Sequence, residues 1–563
     1  MLSEILLSVY TEIQGHHQAL VSVALLVFVV YNLIVYPFFV SPLRYVPGPY
    51  LHRISRIPSL QAQRKFQWVG RVHELHKRYG PVVILTPTSV NCNGDPNHIQ
   101  NIYVKNMPKG QFYESFRFHG EVNMFAETDN ARHLAYKKIV SGLYSKSAIF
   151  NPKNTTRDIL VGKVRELVHQ IYKASILGQQ PDSVATVSPS VGLAHEKDKK
   201  SGVGINVHLL FASLAMDVVA AFELGKENGT SLLSDSKQRP IVDQLRKMSS
   251  MVFWTTRMPR FWAWAAGSAI RNACTEIENW QVALYERAEK HTSQNAPESN
   301  LTTLETFRKS ALSTSKAYSN ISDNLIAGHD TTSTQLTYMC YELSRPVHQK
   351  IQARLRDELI QAFGSPSTKE AYIEDLELVD QLPFLEALMQ ENLRVHSPPG
   401  SHYRVTDKCY SVDIKGKTVS IPPGTEISCQ PYSMHRVPEI FSDPDNWLPD
   451  RWLQTSSESA DEYKARVKEM QRYMMPFGRG VRMCLGMNLA FIEIKLALAN
   501  IYWHYESAIS SAWCDVTPAE KSGVIKLGKP LPGSKDDESM MTMEDAYVSH
   551  PFHDECWLEW RES

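Results

Sequence analysis

The sequence predicts a mainly α-helical body with a smaller β region, preceded by one N-terminal transmembrane helix. Three observations predict it. Residues 316–343 and 485–501 carry apolar side chains at helical spacing. Short β-branched runs bounded by Gly and Pro turns fall at 82–93 and within 402–429. Residues 19–40 are apolar except for Ser22, Asn32 and Pro37, over a length that crosses a hydrocarbon core. With 563 residues, 43% of them apolar, the chain can bury a large core. Its 60 basic residues balance 60 acidic ones, so nothing in the charge points to nucleic acid. Eight scattered cysteines suit a reducing compartment.

In chain order, residues 1–18 contain Glu4 and Glu12, whereas Arg44, Arg53 and Arg56 follow the apolar run. That bias predicts a lumenal N-terminus and a cytosolic body. A cleaved signal peptide has a shorter apolar region, while this one continues into aromatic residues and then Pro42, Pro47, Gly48 and Pro49. Residues 41–50 therefore read as a proline-rich hinge and 51–563 as the body. Gly80-Pro81 opens a predicted hairpin at 82–93. Residues 108–129 hold Phe112, Tyr113, Phe116, Phe118 and Phe125 without sustained periodicity, as in a loop lining an apolar pocket; ring packing in the core is the plainer alternative. Residues 130–144 read as a helix with His133 and Lys137 on one face. Residues 158–294 read as mainly helical, broken by a polar insertion at 195–204. Within them Phe253, Trp254, Phe261, Trp262 and Trp264 beside Arg257 and Arg260 suit a membrane-facing substrate entrance.

The helix at 316–343 contains Ala327-Gly328-His329-Asp330-Thr331-Thr332. Gly328 leaves room for a small molecule against the backbone, Thr331 can donate a hydrogen bond, and Asp330 can relay protons from solvent. A polar kink is the alternative for such an Asp-Thr-Thr run. The helix at 384–395 carries Glu391 and Arg394 three apart, placed to pair. Strand-like residues with turns at Lys415-Gly416-Lys417 and Pro422-Pro423-Gly424 fill 402–429 and include Arg404. Trp447-Leu448-Pro449-Asp450-Arg451-Trp452 follows, then a basic run of Lys464, Arg466, Lys468, Arg472 and Arg479.

The last motif is Pro476-Phe477-Gly478-Arg479-Gly480-Val481-Arg482-Met483-Cys484-Leu485-Gly486. Gly478, Gly480 and Gly486 permit a tight loop, and the helix after it turns its positive end toward the Cys484 sulfur, which favours thiolate. Such a thiolate can be a nucleophile, a zinc ligand or an axial heme ligand. No second Cys or His stands at zinc-knuckle spacing, the nearest cysteines being Cys429 and Cys514. Arg482 suits a heme propionate, because a guanidinium pairs well with a carboxylate.

The pattern Phe477-x-x-Gly480-x-Arg482-x-Cys484-x-Gly486 resembles the heme-binding signature of the cytochrome P-450 family at every fixed position. The acid-alcohol helix, the Glu391-x-x-Arg394 pair and the segment around Arg451 resemble its other motifs, in family order. The resemblance implies the cytochrome P-450 fold across the catalytic domain at 51–563. It implies heme b ligated by Cys484, with Phe477 and Gly478 in the heme loop and with Arg482, His133, Lys137 and Arg404 as propionate contacts. Thr331 would organise proton delivery to dioxygen, with Asp330 upstream. Glu391, Arg394 and Arg451 would form a buried structural network behind the heme loop.

The implied activity is a monooxygenase that inserts one atom of O₂ into an apolar organic substrate, in the manner of fungal secondary-metabolism members acting on terpenoids, polyketides or alkaloids. Electrons would come from NADPH through a separate cytochrome P-450 reductase, with cytochrome b5 as a further donor, at the endoplasmic reticulum membrane. The chain has no flavin or dinucleotide fingerprint of its own. An acidic donor would dock on the basic run before Cys484. The competing readings are a fatty-acid or sterol hydroxylase, a heme-thiolate isomerase or dehydratase without O₂, and a heme sensor. Asp330-Thr331 argues against the last two.

Overall fold

A computed structural model of the chain describes residues 17, 19–175, 204–295, 302–310, 312–398, 400–546 and 548–562. Except for His17 and Gly204, the expected lumenal segment at 1–18 and the polar insertion at 195–204 lie outside these residues. The apolar run forms one helix, α1 (Ala19–Val40), with none of its apolar window buried against the rest of the chain. Its last turns, Tyr31–Val40, are π-helical and contain Pro37. The hinge that follows is anchored. Arg53 donates to the carbonyls of Arg44 and Val46, at 3.1 and 2.6 Å.

Helices dominate, and three sheets are small. The hairpin expected at 82–93 is β1 (Val82–Thr86) and β2 (Ser89–Cys92), antiparallel with Val82 opposite Cys92. β3 (Ile205–Asn206) lies apart. The 402–429 region gives β4 (Arg404–Val405), the hairpin β5 (Tyr410–Ile414) and β6 (Lys417–Ile421), and β7 (Glu426–Ser428). Lys415 and Gly416 both take positive φ at the tip of that hairpin, as a two-residue turn requires. Strands order β1-β2-β7-β4 in one sheet, and β3 pairs with β9 (Trp557–Glu562), itself beside β8 (Tyr505–Ile509), in another.

The helices that position the site are α2 (Asn130–Val140), α3 (Thr155–Ser175), α4 (Val207–Leu224), α5 (Pro240–Ser249), α6 (Ser268–Asn295), α7 (Thr314–Ser344), α8 (Gln349–Phe363), α9 (Pro383–His396), α10 (Ala460–Tyr473) and α11 (Met487–His504). α4 is apolar enough to cross a membrane, yet 89% of it is buried, so it is a core helix. α7 begins at Ser313, whose hydroxyl accepts from the Lys316 N–H, and runs through the middle of the domain against α4. The crossing of α4 and α7 corrects one expectation. A Cβ on Gly328 would meet Val219 of α4 at 2.9 Å, so this glycine admits the neighbouring helix, not a small molecule.

Behind the Cys484 loop, Glu391 of α9 is fully buried and saturated with donors. Arg394 reaches both its oxygens at 2.8 Å, Arg451 donates at 3.1 Å, Trp452 Nε1 at 2.9 Å and the Leu448 N–H at 2.7 Å. Arg394 Nη1 donates to the carbonyls of His435 and Pro444, and Nη2, which also reaches Glu391, donates to that of Asn446. Arg394 thereby fastens α9 to the segment that precedes the loop.

Candidate functional site

The loop from Pro476 to Gly486 is closed by its own backbone. Cys484 N–H donates to Phe477 O at 2.9 Å, Met483 N–H to Gly480 O at 3.0 Å and Gly478 N–H to Met475 O at 3.0 Å. Gly478 and Gly480 take φ of 70° and 73°, and a Cβ on Gly480 would run into the backbone of Tyr103 and Val104, so both positions require glycine. Gly486 differs from expectation. Its φ of −80° suits any residue; what matters is its N–H, one of the groups acting on the sulfur together with that of Met487.

Cys484 is accessible in the chain. Burial nevertheless pushes its thiol above the usual range, whereas the Gly486 N–H, the Lys137 charge and the Met487 N–H pull it down. The helix start alone therefore does not make a thiolate, contrary to expectation; a cation at the sulfur would complete the balance. Lys137 is likewise placed differently. Its ammonium donates to Val481 O at 2.7 Å and Met483 O at 2.9 Å, which latches α2 onto the Cys484 loop and leaves one of its three N–H groups.

Cations converge beside the loop. His133 is buried with Nδ1 unpartnered, and burial followed by the charges of Arg482, Lys109, Lys137 and Arg404 pushes its pKa down to about 3. Arg482 donates only to neutral acceptors, the carbonyls of Glu127 and Thr128 and the side-chain oxygen of Asn130; burial and Arg404 lower its pKa to about 10. Arg404 is buried over the Tyr103 ring at 5.1 Å, and its Nε has no partner. Lys109, buried between the rings of Tyr113 and Phe125, is held well below its usual range by burial and then by Arg404 and Arg482. His402 is pushed to about 3 by burial, Arg404 and Lys109. Three cations that act on one another, Arg482, Arg404 and Lys109, beside the neutral His133 and His402 and with the Arg404 Nε–H unsatisfied, call for a dianion. The two carboxylates of a porphyrin fit that charge, and an iron above Cys484 fits the sulfur.

α7 lies near enough for the Asp323 charge to act on the Cys484 sulfur. Ala327 and Asp330 line a cavity of about 1090 Å³, together with Phe112, Phe116, Phe118 and Phe125 from the aromatic loop and Phe253 and Trp262 from the expected entrance. Thr331 Oγ1 donates to Ala327 O at 2.8 Å within the helix. His329 points away and is buried, its Nε2 unpartnered. Lys109, His402 and Asp323 of α7 were not singled out by the sequence, because an isolated Lys, His or Asp has no spacing to mark it. Trp452, the fourth partner of Glu391, ends the segment quoted for Arg451.

The family model of cytochrome P-450 matches residues 47–531. Among curated relatives, a cytochrome P-450 monooxygenase of Gibberella zeae is 25% identical over 82% of this chain and 86% of its own. The cytochrome P-450 monooxygenase astB of Talaromyces wortmannii is 24% identical over 89% of this chain and 90% of its own. The N-acetyltryptophan 6-hydroxylase ivoC of Emericella nidulans is 24% identical over 84% and 87%.

Proposed function

We infer the function from one premise: this chain belongs to the cytochrome P-450 family. It is therefore a heme-thiolate monooxygenase, an oxidoreductase that takes NADPH-derived electrons from a redox partner and uses O₂ on an organic substrate. Homologues from fungal secondary metabolism, a hydroxylase among them, favour that setting over sterol or fatty-acid housekeeping or an O₂-independent isomerisation.

The residue roles are our proposal. Cys484 would ligate the heme iron, and the observation that carries this is its accessible sulfur on a backbone-closed loop, with Lys137 and the Gly486 and Met487 N–H groups acting to favour its anion. Phe477 packs on Phe491 of α11 at 5.3 Å and stiffens the loop, while Gly478 supplies its positive φ of 70°. Arg482, Arg404 and His133, with Lys109, hold the propionates; Lys137 steadies the loop. When bound, the heme supplies the iron that activates O₂. Thr331 then presents its hydroxyl where protons are needed, and Asp330 hands them inward. Glu391, Arg394 and Arg451 keep the loop's support rigid.

For location, we propose that α1 anchors the chain in the endoplasmic reticulum membrane with residues 51–563 cytosolic. The exposed Leu51, Ile57, Phe261 and Trp264, the last 82% exposed, would dip toward the bilayer near the substrate entrance. An NADPH-cytochrome P-450 reductase, or cytochrome b5, would dock on α10, which Arg479 ties to the Cys484 loop through the carbonyls of Gln471 and Met474. Only part of the basic run serves that face. Arg466 and Arg479 are committed to backbone carbonyls and Arg472 pairs with Glu469, leaving Lys464 and Lys468 as the more available charges.

The test is the absorption spectrum of the dithionite-reduced protein with carbon monoxide, for wild type and Cys484→Ser. A Soret band far to the red, lost in the variant while heme stays bound, supports thiolate ligation by Cys484. Heme-loaded wild type without that band rules the ligand out.

A further inference from the structure

α7 turns a second carboxyl into the cavity. Asp323, Ile326, Ala327 and Asp330 all line it, at the i, i+3, i+4 and i+7 positions of one helix face. Asp323 stands one turn before Ala327 and two before Asp330. Among the described residues, no hydrogen bond or ion pair reaches its carboxyl, and the cation that acts on it is Lys109. Lys109 is already committed. Its Nζ donates to Phe125 O at 2.5 Å and lies over the rings of Tyr113 and Phe125 at 4.1 and 3.9 Å.

Several other charged groups of the wall are matched within the protein, whereas the carboxyls of Glu114 and Asp330, like that of Asp323, accept no hydrogen bond and join no ion pair among the described residues. Arg246 pairs with Glu544 and Asp554, Arg257 donates to Gln63 and covers the Phe112 and Tyr403 rings, Glu278 faces His119 at 3.6 Å, and Asp545 accepts the N–H groups of Val69 and Gly70. A carboxyl left unmatched in the cavity wall is costly unless water or another molecule that enters the cavity satisfies it. Burial already raises its pKa to about 7, opposed by Lys109.

We propose that Asp323 is a specificity-determining residue, which anchors the substrate by a hydrogen-bond donor, a hydroxyl or a protonated amine, at one end of an apolar skeleton. The aromatic loop covers the skeleton, and the anchor fixes which carbon faces the Cys484 side of α7. Above pH 7, where Asp323 is mostly ionised, it repels a free carboxylate, so binding is compared at pH 8. This rests on the heme-thiolate reading, since the cavity is taken as the substrate site.

The test is a spectral binding titration of the full-length, heme-loaded protein with 1-decanol, decyltrimethylammonium and decanoate, on wild type, Asp323→Asn and Asp323→Leu. Wild type is expected to bind decanol, the ammonium probe or both about ten-fold more tightly than decanoate, and Asp323→Leu to abolish the difference. A preference for the ammonium probe that Asp323→Asn removes assigns the anchor to an amine; a decanol preference that survives in Asn and disappears in Leu assigns it to a hydroxyl. No preference over decanoate, or one that survives Asp323→Leu, overturns the proposal. The red-shifted carbon monoxide band is recorded for each protein. Its absence from wild type strikes the heme-thiolate reading and not the anchor, and its presence in each variant shows that the loop is intact. Should Asp323→Leu fail to load heme, Asp323→Ala takes its place with the same expected loss of the preference.

Discussion

Thr331 has one hydroxyl hydrogen, and Ala327 O takes it at 2.8 Å; the lone pairs remain to accept a proton chain from Asp330 or water. A residue that both donates along the helix and accepts from the cavity can turn its hydroxyl over when a better acceptor enters. Thr331→Ala removes that switch. Product formed per NADPH is expected to fall roughly 10²-fold, with hydrogen peroxide rising in its place, while Thr331→Ser keeps most of the coupling; parallel NADPH, peroxide and product assays check it. His329, between the matching positions, faces protein and takes no part. Lys109 and Asp323 are the additions at this scale, the first a cation in the propionate group and the second the cavity carboxyl.

Two elements hold the site, the Cys484 loop and the charge network behind it. In the loop, Gly480→Ala combines a φ of 73° with a Cβ that would approach Val104 Cα to 2.9 Å and collide with Tyr103 O. The strain and overlap together cost about 2 to 5 kcal/mol. Because the backbone of residues 103–104 cannot yield cheaply, the loop moves. The variant is expected to keep its helical circular dichroism and lose the red-shifted carbon monoxide band. In the network, Arg394→Ala leaves the Glu391 carboxylate buried, with Arg451, Trp452 and Leu448 as its remaining donors. The loss of the buried partner costs about 3 to 5 kcal/mol, read as a lower denaturation midpoint and poorer heme retention. Because Arg394 also fastens the carbonyls of His435, Pro444 and Asn446, Arg394→Lys rescues little: one ammonium cannot reproduce a fork of five N–H groups.

For the whole molecule, buried histidines set the pH range of stability. His73 and His208 are each pushed down to about 4 from an ordinary 6.5, in both cases chiefly by burial, with cations adding to it at His73. Below pH 6.5 the unfolded chain takes up protons that the folded chain refuses, so stability falls as pH drops from 6.5 toward 4. His550 is the opposite case. Held between Asp554 and Glu544 at 2.9 Å each, it is raised to about 10 despite burial. Its contribution is complete below pH 6.5 and is lost as pH rises through 10. The thermal midpoint is therefore expected to peak near pH 6.5 and fall on both sides. His73→Gln should flatten the acid limb and His550→Asn the alkaline one, measured by thermal unfolding from pH 4 to 10.

The sequence by itself determined the glycine loop around Cys484, the Glu391–Arg394 pair, the apolar N-terminal helix and the first hairpin. Each depends on residues within one turn or one tight loop, so contiguous spacing carries the information. Only the tertiary structure decided where Lys137 points, since its partners Val481 and Met483 lie 344 and 346 residues away. The same holds for Gly328, whose purpose depends on Val219 of another helix. It also holds for Cys484: a helix start favours thiolate, but burial, a property of the packed whole, pushes the other way. Asp323 became legible only when folding showed that it faced an aromatic cavity with its nearest cation already engaged.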